Sequence, residues 1–298
     1  MTFDAADGEL VLMDPSDGVT WTWDGRHAWA LRHPLSVPTE NSGKIGGPSP
    51  AMAWDPSTSS VLAIVGDPPG RPGVAIPSQV APATWSWSAG QWTELGVQTP
   101  DYVEGAMGSF PPSRQVILFS GCCDYSQPLP LCCGLGSQRP VNAMWAWNGV
   151  EWTELHPAHM PPARLGGSMA YDPSLGKLLL FGGVGGSGTT FMSDLWEWDG
   201  VDWTQAVSAQ VDPNLVASAA LSPGGLVAVA ASPGFAQTWS WDGSTWQRLE
   251  ASTPDCLICS LAYDPLRHLT VLVDNTDYSS HVANQVWTWD GRLWTRRA

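Results

Sequence analysis

The chain has 298 residues, and its 28 acidic and 13 basic residues give a formal net charge of −15. This negative charge repels nucleic-acid phosphates and anionic membrane surfaces, so no nucleic-acid partner is expected. No apolar run reaches the roughly 18 residues of a membrane-spanning helix, and no signal peptide is visible, so membrane insertion is not expected either.

An aromatic cassette, Trp-x-Trp followed closely by a further Trp, returns six times along the chain. The cassettes begin at Trp21, Trp85, Trp145, Trp196, Trp239 and Trp287. The intervals between them, 43 to 64 residues, overlap the period of roughly 40 to 50 residues that is typical of propeller blades. The 31 glycines and 26 prolines suit many short strands and turns. We therefore predict one all-β domain, a six-bladed β-propeller of four-stranded antiparallel blades.

The predicted blades follow one another through the whole chain. Their approximate boundaries are 1–33, 46–96, 102–156, 164–207, 214–250 and 256–298. Long connections are expected at approximately 32–46, 66–83, 120–143, 156–163, 183–194 and 273–285. These lie between strands two and three of a blade or between strand four and the next blade, and both kinds leave an antiparallel blade from the same rim. No strand is expected to be exchanged between the termini, so closure is expected to rest on tryptophan-rich contacts, or on further domains of a longer chain.

Polar side chains on this long-loop rim are the predicted binding residues, since function usually lies on loops carried by a rigid scaffold. They are His33, Glu40, Asp67, Arg71, Asp101, Glu104, Asp124, Arg139, His156, His159 and Asp194. His156 and His159 flank Pro157, and further prolines follow, so we expect two exposed loop histidines in an extended segment rather than a helical pair.

Blade three contains two vicinal cysteine pairs in its longest connection, Cys122-Cys123 and Cys132-Cys133. Four cysteines allow three pairings, and a bridge between neighbouring residues is strained. We expect two disulfides between the pairs, in an undetermined order, with free thiols or a cysteine metal knot as the alternatives. Disulfides indicate an oxidising compartment, which favours an extracellular location although no leader is visible.

The fourth repeat shows the pattern of one blade most clearly. The dipeptide Asp199-Gly200 lies between its third and fourth strands and predicts a two-residue hairpin turn. Trp196 and Trp198, at i and i+2, project from the same face of the sheet and are expected to pack between blades. Equivalent repeat positions account for all 19 tryptophans, so a structural role is predicted for them.

Three features, Arg164 with Gly166-Gly167, Phe181-Gly182-Gly183 and the Trp-x-Trp-Asp-Gly…Trp cassette, resemble kelch repeats. Kelch repeats form four-stranded blades around a central channel, as in the central domain of galactose oxidase. The resemblance covers nearly the whole chain. Other blades replace the double glycine, with Gly66-Asp67, Ser120-Gly121, Ala230-Ala231 and Val273-Asp274. The resemblance implies a scaffold rather than an activity, because kelch proteins include binding modules and a few enzymes.

The segment Ser240-Trp241-Asp242-Gly243-Ser244-Thr245-Trp246 of blade five also resembles the Asp-box of sialidase-type propellers. That box is a hairpin turn on the face away from the active site, so this resemblance too implies a structural role. Neither the arginine triad of a sialidase nor the copper site of galactose oxidase is recognisable from the residue spacing.

The densest candidate metal cluster lies in blade six. It consists of Asp274, Asp277 and His281, whose carboxylate and imidazole groups suit a divalent ion. The last two are similar to part of the Glu-x-x-x-Asp-x-x-x-His iron motif of the kelch specifier proteins of plant glucosinolate breakdown, but Val273 stands in place of the Glu. No other cofactor is expected. Cys256 and Cys259 open the first strand of this blade, where a spacing of three places them on opposite faces, so we expect core or edge thiols.

The leading functional prediction is a non-catalytic kelch-type propeller that binds a protein or a glycan through the long-loop rim. The alternative is a propeller enzyme, either a glycan-active hydrolase or lyase or a metal-dependent catalyst at the channel mouth near Asp277 and His281. An enzyme should bring acids or metal ligands together in one pocket, whereas a binding module should present a broad rim.

Overall fold

The fold is known from a computed structural model that describes most of the chain. The described residues are 1–14, 18–38, 50–66, 82–100, 105–121, 140–185, 190–206, 216–232, 235–256, 259–274 and 285–297. Within them the secondary structure is β-strand, with one 3-10 turn at Pro111–Ser113 and no α-helix. The all-β prediction is therefore confirmed.

Twenty-four of the strands form six four-stranded antiparallel sheets, which we number in chain order. Sheet 1 consists of β1 (Thr2–Asp4), β2 (Glu9–Met13), β3 (Thr20–Trp23) and β4 (Ala30–Arg32). Sheet 2 consists of β5 (Ala51–Asp55), β6 (Ser60–Val65), β7 (Ala83–Ser88) and β8 (Gln91–Glu94). Sheet 3 consists of β9 (Ala106–Phe110), β10 (Gln115–Phe119), β11 (Met144–Trp147) and β12 (Trp152–Leu155).

The second half of the chain repeats this arrangement. Sheet 4 consists of β14 (Ser168–Asp172), β15 (Lys177–Phe181), β18 (Leu195–Trp198) and β19 (Trp203–Gln205). Sheet 5 consists of β20 (Val216–Ser222), β21 (Gly225–Ser232), β22 (Phe235–Trp241) and β23 (Trp246–Leu249). Sheet 6 consists of β24 (Cys259–Asp264), β25 (Leu269–Asp274), β26 (Gln285–Trp289) and β27 (Trp294–Arg297). In all six sheets the strands lie side by side in the order in which they follow along the chain.

A small three-stranded sheet, which the repeat pattern did not predict, adjoins sheet 4. It consists of β13 (Arg164–Leu165), β16 (Val184–Gly185) and β17 (Thr190–Phe191). The strand before β14 thus pairs with the hairpin that connects β15 to β18.

The cores of the molecule lie between successive sheets. Each of the six buried clusters combines apolar residues of two sheets, and together they join sheets 1 and 2, 2 and 3, 3 and 4, 4 and 5, 5 and 6, and 6 and 1. The second strand of each sheet is covered on both faces, which is why β6 is buried along its whole length. Because both faces are covered, these strands are continuous apolar runs rather than alternating ones.

The tryptophans pack between sheets, as predicted. In sheet 3, Trp145 and Trp147 both contact the cluster shared with sheet 2, since residues at i and i+2 lie on one face. Trp147 also packs on Trp152 of the neighbouring strand at a ring-centroid distance of 5.6 Å. The indole N–H of Trp152 crosses the interface and donates to the Thr84 hydroxyl of sheet 2 at 3.0 Å.

The predicted two-residue turn between the third and fourth strands is wrong in every sheet that has Asp-Gly or Asn-Gly there. In sheet 3, Trp147 pairs directly with Trp152, so the connection has four residues. It is held by the Asn148 side chain, whose Oδ1 accepts hydrogen bonds from the N–H groups of Val150 and Glu151, both at 2.9 Å. Sheets 4, 5 and 6 have the same four-residue connection. The Asn or Asp side chain before Gly accepts hydrogen bonds from backbone N–H groups of the same turn, and this arrangement requires a longer turn.

Sheet 2 has a shorter turn. Its Ser88 pairs with Gln91, leaving a two-residue turn formed by Ala89 and Gly90. Both turn residues have positive φ, +49° and +74° respectively, as a type I′ hairpin turn requires. The shortest of these turns therefore occurs in the repeat that has neither Asp-Gly nor Asn-Gly at this position.

Candidate binding surface

The structure describes only part of the predicted rim. Five of the candidate rim and metal residues are described, namely His33, His156, His159, Asp194 and Asp274. The remaining candidates lie outside the described residues: Glu40, Asp67, Arg71, Asp101, Glu104, Asp124, Arg139, Asp277 and His281. The four predicted disulfide cysteines, Cys122, Cys123, Cys132 and Cys133, also lie outside them. These residues therefore remain predictions.

Asp194 is engaged by a buried arginine. Arg164 is fully buried, and its Nη1 and Nη2 donate to the two carboxylate oxygens of Asp194, both at 2.9 Å. The remaining guanidinium bonds go to backbone carbonyls, from Nη1 to Gly182 at 2.8 Å and from Nε to Pro162 at 3.1 Å. The indole of Trp196 donates to the same carboxylate at 2.7 Å. Asp194 thus links the strand that carries Arg164 to the strand that carries Trp196.

The double glycine lies beneath this arginine. Gly182 and Gly183 have φ values of +74° and +96°, and a Cβ on Gly183 would lie 2.9 Å from the Leu165 carbonyl oxygen. A side chain at Gly183 would therefore displace the strand that carries Arg164. The kelch-like arginine and double glycine form one structural unit, in which the backbone carbonyl of Gly182 helps to bind the guanidinium.

Sheet 3 achieves the same turn without a double glycine. Ser120 takes φ +58° and is buried. Its hydroxyl donates to the Val141 carbonyl at 2.6 Å and accepts a hydrogen bond from the Arg164 N–H at 2.8 Å. The Ser120 hydroxyl thus links the end of β10 to the strand that carries Arg164. In sheet 3 this hydrogen-bonding serine occupies the position that Gly182 has in sheet 4.

The three described candidate histidines are exposed, as predicted for the histidine pair. His159 donates its backbone N–H to Asp202 Oδ1 at 2.8 Å, and its ring Nδ1 lies 2.7 Å from Oδ2. These bonds lower the pKa of the Asp202 carboxyl below its ordinary value, first through the histidine ring and then through the backbone. His159 therefore ties the connection after sheet 3 to the turn of sheet 4, while His33 and His156 remain at the surface.

Asp274, the described member of the predicted metal cluster, is the last residue of β25. It is buried and lies opposite Cys259 and Gln285 in the sheet register. Among the residues that the structure describes, no group of three His, Cys, Asp or Glu side chains could hold a metal ion. Asp277 and His281 lie outside those residues, so the metal prediction is not tested.

Cys256 and Cys259 form a disulfide, with a Cα–Cα distance of 5.9 Å, so the prediction of two thiols is wrong. The alternation argument fails because β24 begins only at Cys259, and Cys256 precedes the strand. The distance is normal for a disulfide. Cys256 is buried in the core between sheets 5 and 6, and the Ser218 hydroxyl of sheet 5 donates to the Cys259 carbonyl at 3.1 Å.

The shifted carboxyl groups belong mainly to turns. Backbone N–H groups of Thr245 and Ser244 lower the pKa of Asp242 to about 2, and equivalent bonds lower the pKa values of Asp199 and Asp290. These residues occupy the same position in the turns of sheets 4, 5 and 6. Their shifts therefore arise from turn geometry.

Two comparisons, with protein-family models and with curated proteins, bear on this chain. No protein-family model matches it, and no curated protein matches it. The kelch resemblance thus rests on the residues quoted above. Along the described stretches there is no apolar helix of the length that a membrane crossing requires.

Proposed function

We propose that the chain is a six-bladed kelch-type β-propeller that acts as a non-catalytic module and binds a protein or a glycan through its long-loop rim. The six sheets, with their consecutive strand order, support the blade count. The core shared by sheets 6 and 1 supports a closed ring, in which Leu10 and Trp23 of sheet 1 pack with Val271 and Val273 of sheet 6.

Polar contacts between the same two sheets also support closure. Arg267, in the first turn of sheet 6, donates from Nη1 to Asp264 Oδ2 at 2.6 Å and to the Gly8 carbonyl of sheet 1 at 3.2 Å. Asp264 is fully buried. The contact between the first and last sheets is thus both apolar and hydrogen-bonded, as a continuous ring requires.

The binding proposal rests on one observation. The connections after the first strands are short in every sheet, whereas those after the second strands vary widely in length. The turns between first and second strands have two or four residues in every sheet. The connections between second and third strands range from residues 233–234 in sheet 5 to residues 120–143 in sheet 3. A scaffold whose repeated parts serve packing and whose connections vary at one end suits a binding protein.

A loop-replacement experiment tests this proposal. Residues 122–139 are replaced by a short Gly-Ser linker, and the variant is compared with the wild-type chain on a glycan array and in titrations of each glycan that binds. We expect the unfolding temperature to remain within a few degrees and binding to be lost. Replacement of residues 186–189 serves as the matched control in another sheet.

Two results would overturn the binding proposal. One is a set of bound glycans whose affinity does not change when any long connection is shortened. The other is turnover of a bound glycan, which would favour the enzyme alternative. Elemental analysis of the undialysed protein, repeated on Asp277→Asn, tests the metal prediction separately.

A further inference from the structure

The turns of neighbouring sheets meet in a regular way at five of the six interfaces. The glycine of the turn between the third and fourth strands lies against the first turn of the preceding sheet. The pairs are Gly25 with Arg267, Gly149 with Ser57, Gly200 with Phe110, Gly243 with Leu175 and Gly291 with Pro223. The approach is close, since a Cβ on Gly149 would lie 2.6 Å from the Ser57 hydroxyl. These contacts close the surface between the sheets.

The interface between sheets 1 and 2 lacks this contact. The two-residue turn Ala89-Gly90 is shorter than the others, and nothing lies within 4 Å of a Cβ built on Gly90. A cavity of about 280 Å³ remains, lined by Asp7, Glu9, Arg32, Ala89 and Gly90. We call this cavity the notch. Small-molecule sites usually measure about 300–1,000 Å³, so the notch has the size for a side chain rather than for a large cofactor.

The lining of the notch carries excess negative charge. Arg32 Nη2 donates to both carboxylate oxygens of Glu9, at 3.2 and 3.0 Å, and its Nε donates to the Thr22 hydroxyl at 2.8 Å. The charge of Arg32 is thus balanced by Glu9. Asp7 is exposed and has no ion-pair partner within the described residues. The buried Asp4 lies directly behind, accepting the Asp7 N–H at 3.3 Å.

An apolar side chain stands beside the notch. Gln91, next to Gly90, accepts the backbone N–H of Leu35 at 2.9 Å through its Oε1 and donates to the Gly90 carbonyl at 2.8 Å. This bond fixes the backbone of Leu35, whose side chain is 98% exposed. One glutamine therefore links the backbone of the exposed Leu35 to the Ala89-Gly90 turn that lines the notch.

We propose that the notch binds the basic side chain, Arg or Lys, of a partner polypeptide, whose neighbouring apolar residue packs on Leu35. The cationic group would lie against Asp7, where the chain has an unbalanced carboxylate, and could donate to the peptide oxygens of the Ala89-Gly90 turn. This site is bounded by the turns after β1 and β7, so it does not depend on the rim proposal. The overall charge of −15 also favours a basic partner.

Short peptides test the proposal. The probes are acetyl-Gly-Arg-Leu-Gly-amide and the same peptide with Gln in place of Arg, titrated into the full chain and followed by NMR. We expect the Arg peptide to bind more tightly and its affinity to fall as salt is added. Asp7→Asn should weaken it by about two- to fivefold, the range for one exposed ion pair. Glu151→Gln, with the same change in net charge in the turn of sheet 3, should leave binding unchanged.

A second variant fills the notch instead of removing a charge. Ala89-Gly90 is replaced by the four-residue sequence of residues 148–151, which closes the equivalent interface of sheet 3. We expect this graft to abolish binding of the Arg peptide while the unfolding temperature stays the same or rises. The proposal is overturned if the Arg and Gln peptides bind equally, if neither binds, or if Asp7→Asn and Glu151→Gln have equal effects.

Discussion

Two arginine–carboxylate pairs of the molecule differ in their environment. Arg164 and Asp194, between sheets 3 and 4, have side chains that are 0% and 18% exposed. Arg32 and Glu9, beside the notch between sheets 1 and 2, are 40% and 13% exposed. The first guanidinium also binds two backbone carbonyls, whereas the second binds one hydroxyl.

This difference in exposure decides how much each pair can contribute to stability. A buried ion pair is tolerable only if the remaining donors are satisfied, because the loss of hydration is not repaid by the ion pair alone. Arg164 meets this condition by using the carbonyls that the double glycine presents. Arg32 retains contact with solvent, so its pair contributes less to stability and remains accessible to a ligand.

The largest expected effect comes from breaking the buried pair. Arg164→Met leaves the Asp194 carboxylate without its cationic partner, and we expect a loss of about 3–5 kcal/mol in the free energy of unfolding. Arg32→Met, the matched variant at the exposed pair, should cost at most about 1 kcal/mol. Urea unfolding followed by tryptophan fluorescence measures both.

The double variant Arg164→Met/Asp194→Asn is the control for this prediction. It removes the uncompensated charge and keeps an oxygen that can accept the Trp196 N–H, so part of the lost stability should return. Equal losses for Arg164→Met and Arg32→Met would contradict the contrast between the two interfaces.

The second prediction compares equivalent tryptophans at two interfaces. Trp147 donates its indole N–H to the buried carboxylate of Asp55 at 2.8 Å. Trp87, at the same repeat position, is equally buried, but its N–H has no partner among the described residues. Phenylalanine removes the N–H in both cases, so Trp147→Phe should cost about 1.5–3 kcal/mol more than Trp87→Phe, the value of a hydrogen bond to a charged group.

Matched urea unfolding curves measure this difference. Because both substitutions remove a similar volume, their loss of packing largely cancels in the comparison. Identical unfolding free energies for the two variants would mean that the bond to Asp55 contributes nothing. Both tryptophans would then stabilise their interfaces through packing alone.

The sequence predicted the features that repeat. The Trp-x-Trp spacing predicted which side chains share a sheet face, and Trp145 and Trp147 indeed meet the same core. The recurring cassette and the abundance of glycine and proline predicted the four-stranded sheets. These features follow from local alternation and hydrophobic burial, which a single sequence displays directly.

The features that were missed depend on particular side-chain contacts, which the repeat pattern does not display. Asp194 was predicted as a rim residue, and its partner Arg164 is thirty positions earlier, a pairing that no local pattern reveals. The length of the turn after Trp147 depends on the Asn148 side chain, which competes with the backbone for the same N–H groups. The notch arises from a missing contact, which becomes visible only when the six interfaces are compared.

The third prediction concerns an interface with covalent reinforcement. The Cys256–Cys259 disulfide borders the core between sheets 5 and 6, whereas the interface of sheets 1 and 2 has no disulfide among its described residues. Closing so short a loop should stabilise the fold by about 2 kcal/mol. Cys256→Ala/Cys259→Ala should therefore lower the unfolding free energy by that amount, measured in urea without reductant.

Reduction of the wild-type chain is the control. With reductant, the wild-type chain and the double variant should have the same unfolding free energy, because the four other cysteines are present in both chains. Mass spectrometry of the tryptic peptide that spans residues 249–267 should find it two hydrogens lighter before reduction. A peptide of the fully reduced mass would contradict the disulfide.

The smallest effect expected is a change in pH dependence at the interface of sheets 1 and 2. Burial raises the pKa of Asp4 above its ordinary value of 3.8, and the charges of Asp7 and Glu9 raise it further, against two backbone bonds that lower it. Stability from this group is fully present below pH 3.8 and is lost as the pH rises through the folded-state pKa. The turn carboxylates of Asp199 and Asp290 have lowered values, so their contribution has the opposite sign and is lost as the pH falls.

Asp4→Asn isolates this contribution because asparagine keeps an oxygen for the N–H groups of Ala6 and Asp7. Measured by urea unfolding at a series of pH values, the variant should gain stability relative to the wild-type chain between about pH 4 and neutrality. Asp7→Asn should produce a smaller gain in the same direction, because it removes only one of the charges that act on Asp4. A difference between variant and wild type that is constant with pH, or that falls as the pH rises, would mean that Asp4 is solvated like a surface carboxyl. The notch would then be filled by bulk-like water, and its negative charge would be too well screened to select a basic side chain.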